Sequence, residues 1–332
     1  MSAHRLPKTR ILGTGHYVPE KILSNGDLEK MVQTSDAWIT ERTGVRRRRI
    51  AADGELTSDM AAHAAREALD AAGLTAADLD MIIVATITAD SPMPACAVYV
   101  QQKIGAQNIP AFDLAAACGG FIFGLSIADK FIATGAARYV LVIGAEMLSR
   151  VTNWDDRMTC VLFGDGAGAV VLGPTDSDRR GLLGSRIFTD GALASALVIP
   201  GGGTAEPLTA EHIVNKRYTI HMQGKEVFRS AVKYLVSAST SVLDDAGIGA
   251  ADVDWVVPHQ ANLRILNQVA DRLHVPMEKF VINIQEYGNT SSASIPIALD
   301  EAVRDGRIKP GQTVLMCALG AGISWGSALV RM

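Results

Sequence analysis

The chain repeats part of its own sequence, and this repeat limits the available folds more than any other feature. The segment Leu69–Asp80 returns later in the chain as Leu243–Asp254, with eight of twelve positions identical. At the same offset, the apolar run Tyr139–Ile143 corresponds to Thr313–Cys317. Because both matches occur in the same order and at one offset, we predict two similar halves rather than a chance match.

Each half shows the same alternation of elements. Ala-rich helical segments alternate with short β-branched runs bounded by Gly, a pattern typical of layered α/β proteins. We predict a boundary between Gly173 and Arg180, giving an N-terminal half at 1–175 and a C-terminal half at 176–332. At 332 residues, 48% of them hydrophobic, the chain can bury cores without metals or disulfides.

Composition excludes several classes of function. A net charge of −4 argues against a nucleic-acid-binding protein, and we interpret the run Arg46–Arg49 as a solvated or phosphate-facing patch. The opening segment Met1–Arg10 is polar, and no apolar stretch approaches the roughly 20 residues of a membrane helix. We therefore expect a cytoplasmic protein without a membrane partner.

Two motifs that suggest ligands receive structural interpretations. The four cysteines are scattered, with no CxxC pair and no His-rich spacing, so we expect reduced thiols and no metal site. The run Phe163–Gly168 resembles a phosphate-binding loop but leads directly into the strand-like run Ala169–Leu172, not into a helix. We therefore assign it a structural role.

The repeat also predicts where chemistry takes place. Further along the chain the offset between the halves shortens by three, which aligns Cys118 with Asn289. Each follows a predicted strand, Ala111–Leu114 or Val281–Ile284, and precedes a predicted helix. His259 follows another predicted strand. Open α/β sheets bind ligands at the carboxyl ends of their strands, so we expect these three side chains to meet.

Each of the three residues also fits a plainer role. Cys118 at a helix N-terminus is expected to be stabilised as a thiolate, but a buried structural cysteine would look the same. His259 also suits a surface site near a helix cap, and Asn289 an N-cap. Because the repeat places all three residues at equivalent strand ends, together they favour a catalytic site.

Longer motifs identify a resemblance that covers nearly the whole chain. They are Ser35–Ile39, Arg42–Gly44, Ala115–Gly119, Leu162–Gly168, Val257–Arg264, Gly288–Ser291, Asp300–Arg307 and Trp325–Arg331. With them, the chain resembles ketoacyl-acyl-carrier-protein synthase III, a condensing enzyme of the thiolase-like superfamily. The resemblance implies a duplicated α/β thiolase-like fold with five αβαβα layers, usually in a homodimer.

The resemblance implies a catalytic triad of Cys118, His259 and Asn289. Cys118 takes an acyl group from acyl-CoA, and a decarboxylative Claisen condensation with malonyl-acyl carrier protein then starts fatty-acid synthesis. His259 Nε2–H and the Asn289 amide are expected to hold the enolate oxygen, and the backbone N–H groups of Cys118 and Ala321 the second oxyanion. Relatives commonly have Gly in place of Ala321, so a positive φ there implies strain. No cofactor is expected, since acyl-CoA is a substrate.

The same resemblance assigns binding residues. Those expected to bind CoA are Trp38, Arg42, Arg157, Gly224, Phe228 and Asn262. Those expected to dock the acidic carrier protein are Arg229, Arg264 and Arg272. Those expected to shape the acyl pocket are Met93, Phe163 and Leu319. Many relatives carry Phe in place of Met93 and Leu319, so we expect starters longer than acetyl.

Three other interpretations remain open on the sequence. A specialised ketosynthase or acyltransferase of polyketide or secondary metabolism would keep the same triad. The chain order Cys, His, Asn also occurs in papain-like cysteine hydrolases. A non-catalytic thiolase-like subunit would share the fold.

Overall fold

The computed structural model describes residues 8–177 and 180–332. Residues 1–7 of the polar opening segment and residues 178–179 of the predicted boundary lie outside these ranges. The strands are β1 Lys8–Tyr17, β2 Lys21–Ser24, β3 Arg47–Ile50, β4 Met81–Ala85, β5 Ala111–Leu114, β6 Val140–Met147, β7 Asp165–Thr175, β8 Gly181–Thr189, β9 Leu197–Val198, β10 His221–Met222, β11 Trp255–Pro258, β12 Thr313–Gly320 and β13 Ser324–Arg331. The α-helices are α1 Asn25–Leu28, α2 Asp36–Thr43, α3 Thr57–Ala72, α4 Cys96–Ile104, α5 Gly120–Ala133, α6 Ala210–Val214, α7 Gly224–Ala246, α8 Leu263–Leu273, α9 Ile284–Tyr287 and α10 Ser294–Arg304.

Two mixed sheets form the framework. The first has the order β1-β7-β6-β4-β5, with β4 parallel to both of its neighbours. The second has the order β11-β12-β13-β8, with β11 parallel to β12 and the other pairs antiparallel. Strands up to Thr175 belong to the first sheet or a small hairpin, and β8 from Gly181 joins the second. The predicted boundary between residues 175 and 176 falls between β7 and β8.

Helices and sheets stack in five layers, as predicted. The apolar faces of α3 and α4 pack on the outer side of the first sheet. Residues of α5 and α10 pack between the two sheets, in a core that both sheets share. The faces of α7 and α8 cover the outer side of the second sheet. Each sheet is therefore buried on both faces, which explains the continuous apolar runs of its central strands.

The strand pairing reproduces the sequence repeat. Ile82 of β4 pairs with Leu141 of β6, and Val256 of β11 pairs with Leu315 of β12. Val256 corresponds to Ile82 and Leu315 corresponds to Leu141. In both cases the two residues are as far apart in the sequence as Leu69 and Leu243. The internal duplication is thus present in the register of the two sheets.

The predicted alignment of Cys118 with Asn289 is wrong. The 3₁₀ turn Ala117–Gly119 before α5 has its counterpart in the turn Ser291–Ala293 before α10, still at the original offset of the repeat. Cys118 therefore corresponds to Ser292. The shorter offset arises only within the helices, since α5 has 14 residues and α10 has 11.

The predicted strand Val281–Ile284 is also wrong. A single bridge joins Val256 to Phe280, and α9 begins at Ile284. The Gln260 side chain takes the place of further strand pairing, because its Nε2 donates to Val281 O at 3.0 Å and its Oε1 accepts from Asn283 N at 3.2 Å. A side-chain amide can satisfy these backbone groups as a neighbouring strand would.

The glycine-rich run has the structural role that we predicted. It leads into β7 at Asp165, whose buried carboxylate accepts hydrogen bonds from Ser149 and from the Ala51 backbone. Among the helices in the described ranges, none combines the length and apolar character needed to cross a bilayer.

Candidate active site

One cavity of about 160 Å³ brings the predicted catalytic residues together. Cys118, His259 and Asn289 line it, although they lie on three separate segments. Other predicted residues that line it are Phe163, Gly224, Phe228, Asn262, Leu319 and Ala321. The remaining wall is mostly apolar, with Leu148, Leu197, Ile199 and Ile220 among its side chains. Such a cavity suits an acyl chain attached to a reactive thioester.

Cys118 lies in the turn that leads into α5, where the chain approaches β12 closely. Gly320 permits this approach, since a Cβ there would lie 2.7 Å from the Cys118 backbone nitrogen. Burial raises the pKa of the Cys118 thiol to about 12, an effect that a Ser291 hydrogen bond opposes and the nearby Glu146 charge reinforces. Desolvation therefore opposes the resting thiolate that the helix terminus favours. Attack requires a group that takes the thiol proton.

His259 follows β11, and its backbone N–H extends the sheet by donating to Cys317 O at 2.8 Å. Its Nδ1 lies 2.6 Å from Ser294 Oγ, and that hydroxyl donates its hydrogen to Ser291 O at 2.8 Å. With its hydrogen on Ser291 O, the Ser294 hydroxyl accepts from Nδ1–H, and in this arrangement Nε2 is an acceptor. Burial lowers the pKa of His259 to about 4, so the ring is neutral. The predicted Nε2–H donor thus requires a change of tautomer.

Asn289 is held through both its backbone and its side chain. Its N–H donates to Leu162 O at 2.8 Å, and its carbonyl accepts from Gly164 N at 3.0 Å. The side-chain Oδ1 accepts from Ser291 N at 2.8 Å. Because the amide oxygen is occupied, Nδ2 is the part of the side chain that can donate to a substrate.

Ala321 carries no backbone strain. The positive φ in this turn belongs to Gly322, at 123°, and Ala321 is absent from the non-glycine residues with positive φ in the described ranges. The strain considered for Ala321 is therefore not present. The adjacent glycine takes the conformation that an L-residue disfavours.

A basic groove continues from the mouth of the cavity. Gly224, Phe228 and Asn262 line both spaces, and Trp38 and Arg42 line the groove alone. The guanidinium groups of Arg42 and Arg157 lie 5.1 and 4.9 Å from the Trp38 ring centroid. An aromatic ring beside two cations is suited to stack on a purine and to bind phosphate groups.

The predicted docking residues border the same groove. Arg229, Arg264 and Arg272 line it, and so do two lysines that the sequence analysis missed, Lys225 and Lys233. Arg229, Lys225 and Lys233 all belong to α7. Periodic basic residues on one helix near Gly224 were the signal that could have identified the lysines.

Met93 does not line the cavity of its own chain. Its side chain is 85% exposed. Ile87, a few residues earlier, does line the cavity and is partly exposed. The assignment of Met93 to the acyl pocket is therefore not met within one chain, because its side chain is exposed and is not among the residues that line the cavity.

The arginine run is not a uniformly solvated patch. Arg48 is completely buried in β3 and donates to Leu23 O, Asn25 Oδ1 and Val161 O. Burial lowers the pKa of Arg48 to about 10. Alternation along β3 turns Arg48 inward and Arg47 outward, and this explains the error in our interpretation.

The sequence analysis missed Glu146, which is completely buried at the end of β6. It accepts from Ser291 Oγ at 3.0 Å. Burial raises the pKa of Glu146 to about 7. A carboxylate within the apolar run Val140–Met147 was a signal for a special role, because charged residues are rarely buried without a partner.

One group of possible metal ligands occurs among the described residues, formed by His16, Glu67 and Asp300. None of them lines the cavity. Arg304 binds Asp300 at 2.7 Å and Glu67 at 3.0 Å, and His16 binds Asp300 at 2.5 Å. These contacts make the group an ion-pair network that joins the two halves.

Comparisons with known proteins agree with this geometry. The family described as 3-Oxoacyl-[acyl-carrier-protein (ACP)] synthase III matches residues 112–191, and its C-terminal model matches residues 243–332. The chain is 52% identical to a beta-ketoacyl-[acyl-carrier-protein] synthase III of Caldanaerobacter subterraneus, over 97% of both chains. The papain-like hydrolase interpretation is therefore wrong.

Solved structures show the same relationship. The crystal structure of 3-oxoacyl-[acyl-carrier-protein] synthase III from Aquifex aeolicus superposes with a TM-score of 0.90 at 47% identity, covering 98% of this chain and all of that one. The priming beta-ketosynthase of the R1128 polyketide pathway gives 0.92 at 37% identity, over 100% of this chain and 98% of that one. The chain therefore belongs to the 3-oxoacyl-[acyl-carrier-protein] synthase III family and is a condensing acyltransferase with the thiolase-like fold.

Proposed function

We propose that the chain condenses an acyl-CoA starter with malonyl-acyl carrier protein, through an acyl group on Cys118, to initiate fatty-acid synthesis. Membership of the family gives the condensing activity. The observation that supports the assignment of residues is the single apolar cavity lined by Cys118, His259 and Asn289. Its continuity with the basic groove supports a substrate that has an apolar acyl end and an anionic nucleotide end.

Cys118 acts in the first half-reaction. Its sulfur attacks the thioester carbonyl of acyl-CoA while His259 Nε2 accepts the thiol proton, so that the high pKa of the buried thiol does not prevent attack. The backbone N–H groups of Cys118 and Ala321 hold the tetrahedral oxyanion. The carbon–sulfur bond to CoA then breaks, and the CoA thiolate takes the proton from His259. The acyl group remains on Cys118.

Asn289 and His259 act in the second half-reaction. The carboxylate of the malonyl thioester leaves as CO₂, and its electron pair forms an enolate whose oxygen accepts from Asn289 Nδ2 and His259 Nε2–H. The enolate carbon attacks the acyl carbonyl on Cys118. The sulfur leaves with its electron pair, which releases a 3-oxoacyl-carrier protein, and the Cys118 thiolate then takes up a proton from solvent. These steps use this chain's side chains and backbone N–H groups together with its substrates.

The groove binds both substrates in turn. Trp38, Arg42 and Arg157 take the CoA nucleotide, while Gly224, Phe228 and Asn262 border the route of its pantetheine arm. Arg229, Arg264 and Arg272 attract the acidic carrier protein. Because this attraction is between exposed charges, binding of the carrier protein weakens as salt concentration rises.

The protein works as a homodimer in this proposal. β5 is an edge strand of the first sheet, with one side open to pair with another chain. Ile87, Met93 and Val98 expose apolar side chains in the segment that precedes it. A second copy at this edge would cover them, and Met93 would shape an acyl pocket from across the interface. The four free cysteines agree with a reducing, cytoplasmic setting.

Mass spectrometry of the intact protein tests the proposed function. Acetyl-, butyryl- or octanoyl-CoA should add one acyl mass to the native chain and none to the Cys118→Ser variant. Malonyl-acyl carrier protein should then remove that mass, with release of CO₂ and formation of a 3-oxoacyl product. Transfer of the acyl group to the carrier protein without CO₂ release would contradict the proposal.

A second function shares this chemistry. The similarity to the priming ketosynthase of a polyketide pathway favours a role in starting polyketide chains. The same assay distinguishes the two functions when it is repeated with malonyl-loaded carrier proteins of fatty-acid synthesis and of polyketide synthesis, and the faster acceptor identifies the pathway.

A further inference from the structure

Ser291 contacts groups that hold two of the proposed catalytic residues. Its backbone N–H donates to Asn289 Oδ1 at 2.8 Å, which directs the Asn289 amide. Its backbone carbonyl accepts from Ser294 Oγ at 2.8 Å, and Ser294 in turn contacts His259 Nδ1. The position of the Ser291 peptide groups therefore determines how both catalytic side chains are oriented.

Ser291 adopts a backbone conformation that L-residues rarely take, with φ of 51°. Its side chain is anchored by Glu146, whose Oε1 accepts from Ser291 Oγ at 3.0 Å. The other carboxylate oxygen accepts from Thr88 Oγ1 at 2.7 Å and from Ile87 N at 3.1 Å. One oxygen of the Glu146 carboxylate is thus fixed by the segment after β4, and the other oxygen holds the Ser291 side chain.

The duplicated fold shows that such a turn does not require this carboxylate. Ala117, the counterpart of Ser291, has a φ of 45° without a polar side chain. The counterpart of Glu146 in the paired strands is Gly320. The turn at Ala117 therefore forms against Gly320 of the second half without a polar pair, whereas the turn at Ser291, which adjoins Asn289 and His259, carries the pair with Glu146.

We propose that Glu146 is a positioning residue for the condensation step, because its hold on Ser291 orients Asn289 and His259. The inference rests on the roles proposed above for these two residues. Glu146 does not touch the substrate and takes no part in bond making. Its effect reaches the enolate through the Ser291 backbone alone.

The Glu146→Gln variant tests this role with little change of shape. A glutamine whose oxygen accepts from Thr88 and Ile87 directs its NH₂ group at Ser291 and cannot accept the Ser291 hydrogen. We expect malonyl decarboxylation to fall about tenfold, because one positioning hydrogen bond is lost. Loss of the Glu146 charge favours ionisation of the Cys118 thiol, so acylation should not fall, and the melting temperature should stay close to native. An unchanged decarboxylation rate would overturn the proposal.

A double-mutant cycle separates positioning from general damage. If Glu146 acts through Ser291, then Glu146→Gln should cause no further loss in a Ser291→Ala background. If the losses of decarboxylation rate in the two single variants multiplied in the double variant, the proposal would be overturned. Equal losses in both half-reactions, accompanied by a fall in melting temperature, would also overturn it.

Ser292→Ala is the matched control. Ser292 lies on the same turn and contacts the same carboxylate oxygen at 3.2 Å, but it donates its hydrogen to Ala85 O at 2.8 Å. This variant should keep the native ratio of decarboxylation to acylation, whereas a tenfold change in that ratio would overturn the proposal.

If Glu146→Gln is unchanged while Asn289→Asp loses decarboxylation, the positioning role fails and the proposed function stands. Normal decarboxylation in Asn289→Asp would instead remove the proposed function.

Discussion

His259 Nδ1 lies 2.6 Å from the hydroxyl oxygen of Ser294. A hydroxyl can accept from Nδ1–H or donate to an unprotonated Nδ1, so Ser294 is compatible with both neutral tautomers of the ring. The Nδ1–H form is the one that fits a Ser294 hydrogen directed to Ser291 O. Acylation needs this form, and stabilisation of the enolate needs the other.

Ser294→Ala should therefore slow the two half-reactions unequally. Without the hydroxyl, the Nε2–H form that the enolate needs loses its donor to the unprotonated Nδ1. We expect malonyl decarboxylation to fall roughly tenfold, about the value of one hydrogen bond, while acylation of Cys118 changes little. Stopped-flow measurement of each half-reaction checks this. Ser327→Ala, which removes another buried serine hydroxyl bound to a backbone carbonyl, should leave the ratio of the two rates unchanged.

Asn289→Asp should abolish the second half-reaction and keep the first. The variant has nearly the same shape, but it replaces the donor Nδ2 by an oxygen that repels the enolate. Loss of such a donor costs on the order of 10²-fold in rate. Decarboxylation of malonyl-acyl carrier protein is the measurement, with acyl-Cys118 formation as the internal control. Equal loss of both activities would show that Asn289 serves the first step as well.

Leu319→Phe should shift the preferred starter toward acetyl. Leu319 lines the cavity, and a ring there takes space that a longer acyl chain would fill. Each buried methylene contributes about 0.8 kcal/mol, so native kcat/KM should rise nearly fourfold per carbon until the cavity is full. Phe163→Leu, on another part of the cavity wall, should shift the preferred starter toward longer acyl chains. A native preference for acetyl-CoA that Leu319→Phe leaves unchanged would contradict this view of the pocket.

The His16–Asp300 pair should make stability depend on pH. Burial alone would lower the pKa of His16, but the hydrogen bond and charge of Asp300 raise it above its ordinary value. The pair therefore stabilises the fold fully below the unfolded pKa of about 6.5, and this contribution is lost as pH rises through the folded pKa. Urea denaturation between pH 5.5 and pH 9, roughly spanning the histidine range, measures it.

The His16→Gln variant is the comparison for this pH dependence. Its free energy of unfolding should fall less than that of the native chain over the same range, because the group that loses its proton is gone. Parallel curves for the two proteins would show that another group titrates. At acid pH both proteins should lose stability, since the Asp300 pKa, which burial would raise, is lowered by hydrogen bonds from His16, Thr14 and Arg304.

The sequence was sufficient for features that repeat or that follow a local pattern. The duplication of Leu69–Asp80 at Leu243–Asp254 predicted two related halves, and the pairing of β4 with β6 and of β11 with β12 has that same offset. The meeting of Cys118 and His259 was also predictable, because each follows a strand, β5 or β11, and both strands end at the site. Asn289 joins them although the strand predicted before it is helix α9.

Other features depended on contacts between distant segments. The length difference between the two halves lies inside the helices, since α5 is three residues longer than α10. The turns before the helices therefore keep the original offset, and Cys118 corresponds to Ser292. The sequence alone did not show that the difference begins only after these turns. The Gln260 amide replaces a strand partner, which no local propensity indicates.

The tertiary structure alone decided the electrostatics of the site. The pKa of the Cys118 thiol and that of the His259 ring depend on how completely other layers exclude water from them. The tautomer of His259 depends on Ser294, and the anchoring of Ser291 depends on Glu146 from the other half of the chain. The amino-acid sequence determines which groups exist, but desolvation and hydrogen-bond direction arise only when segments far apart in the chain pack together.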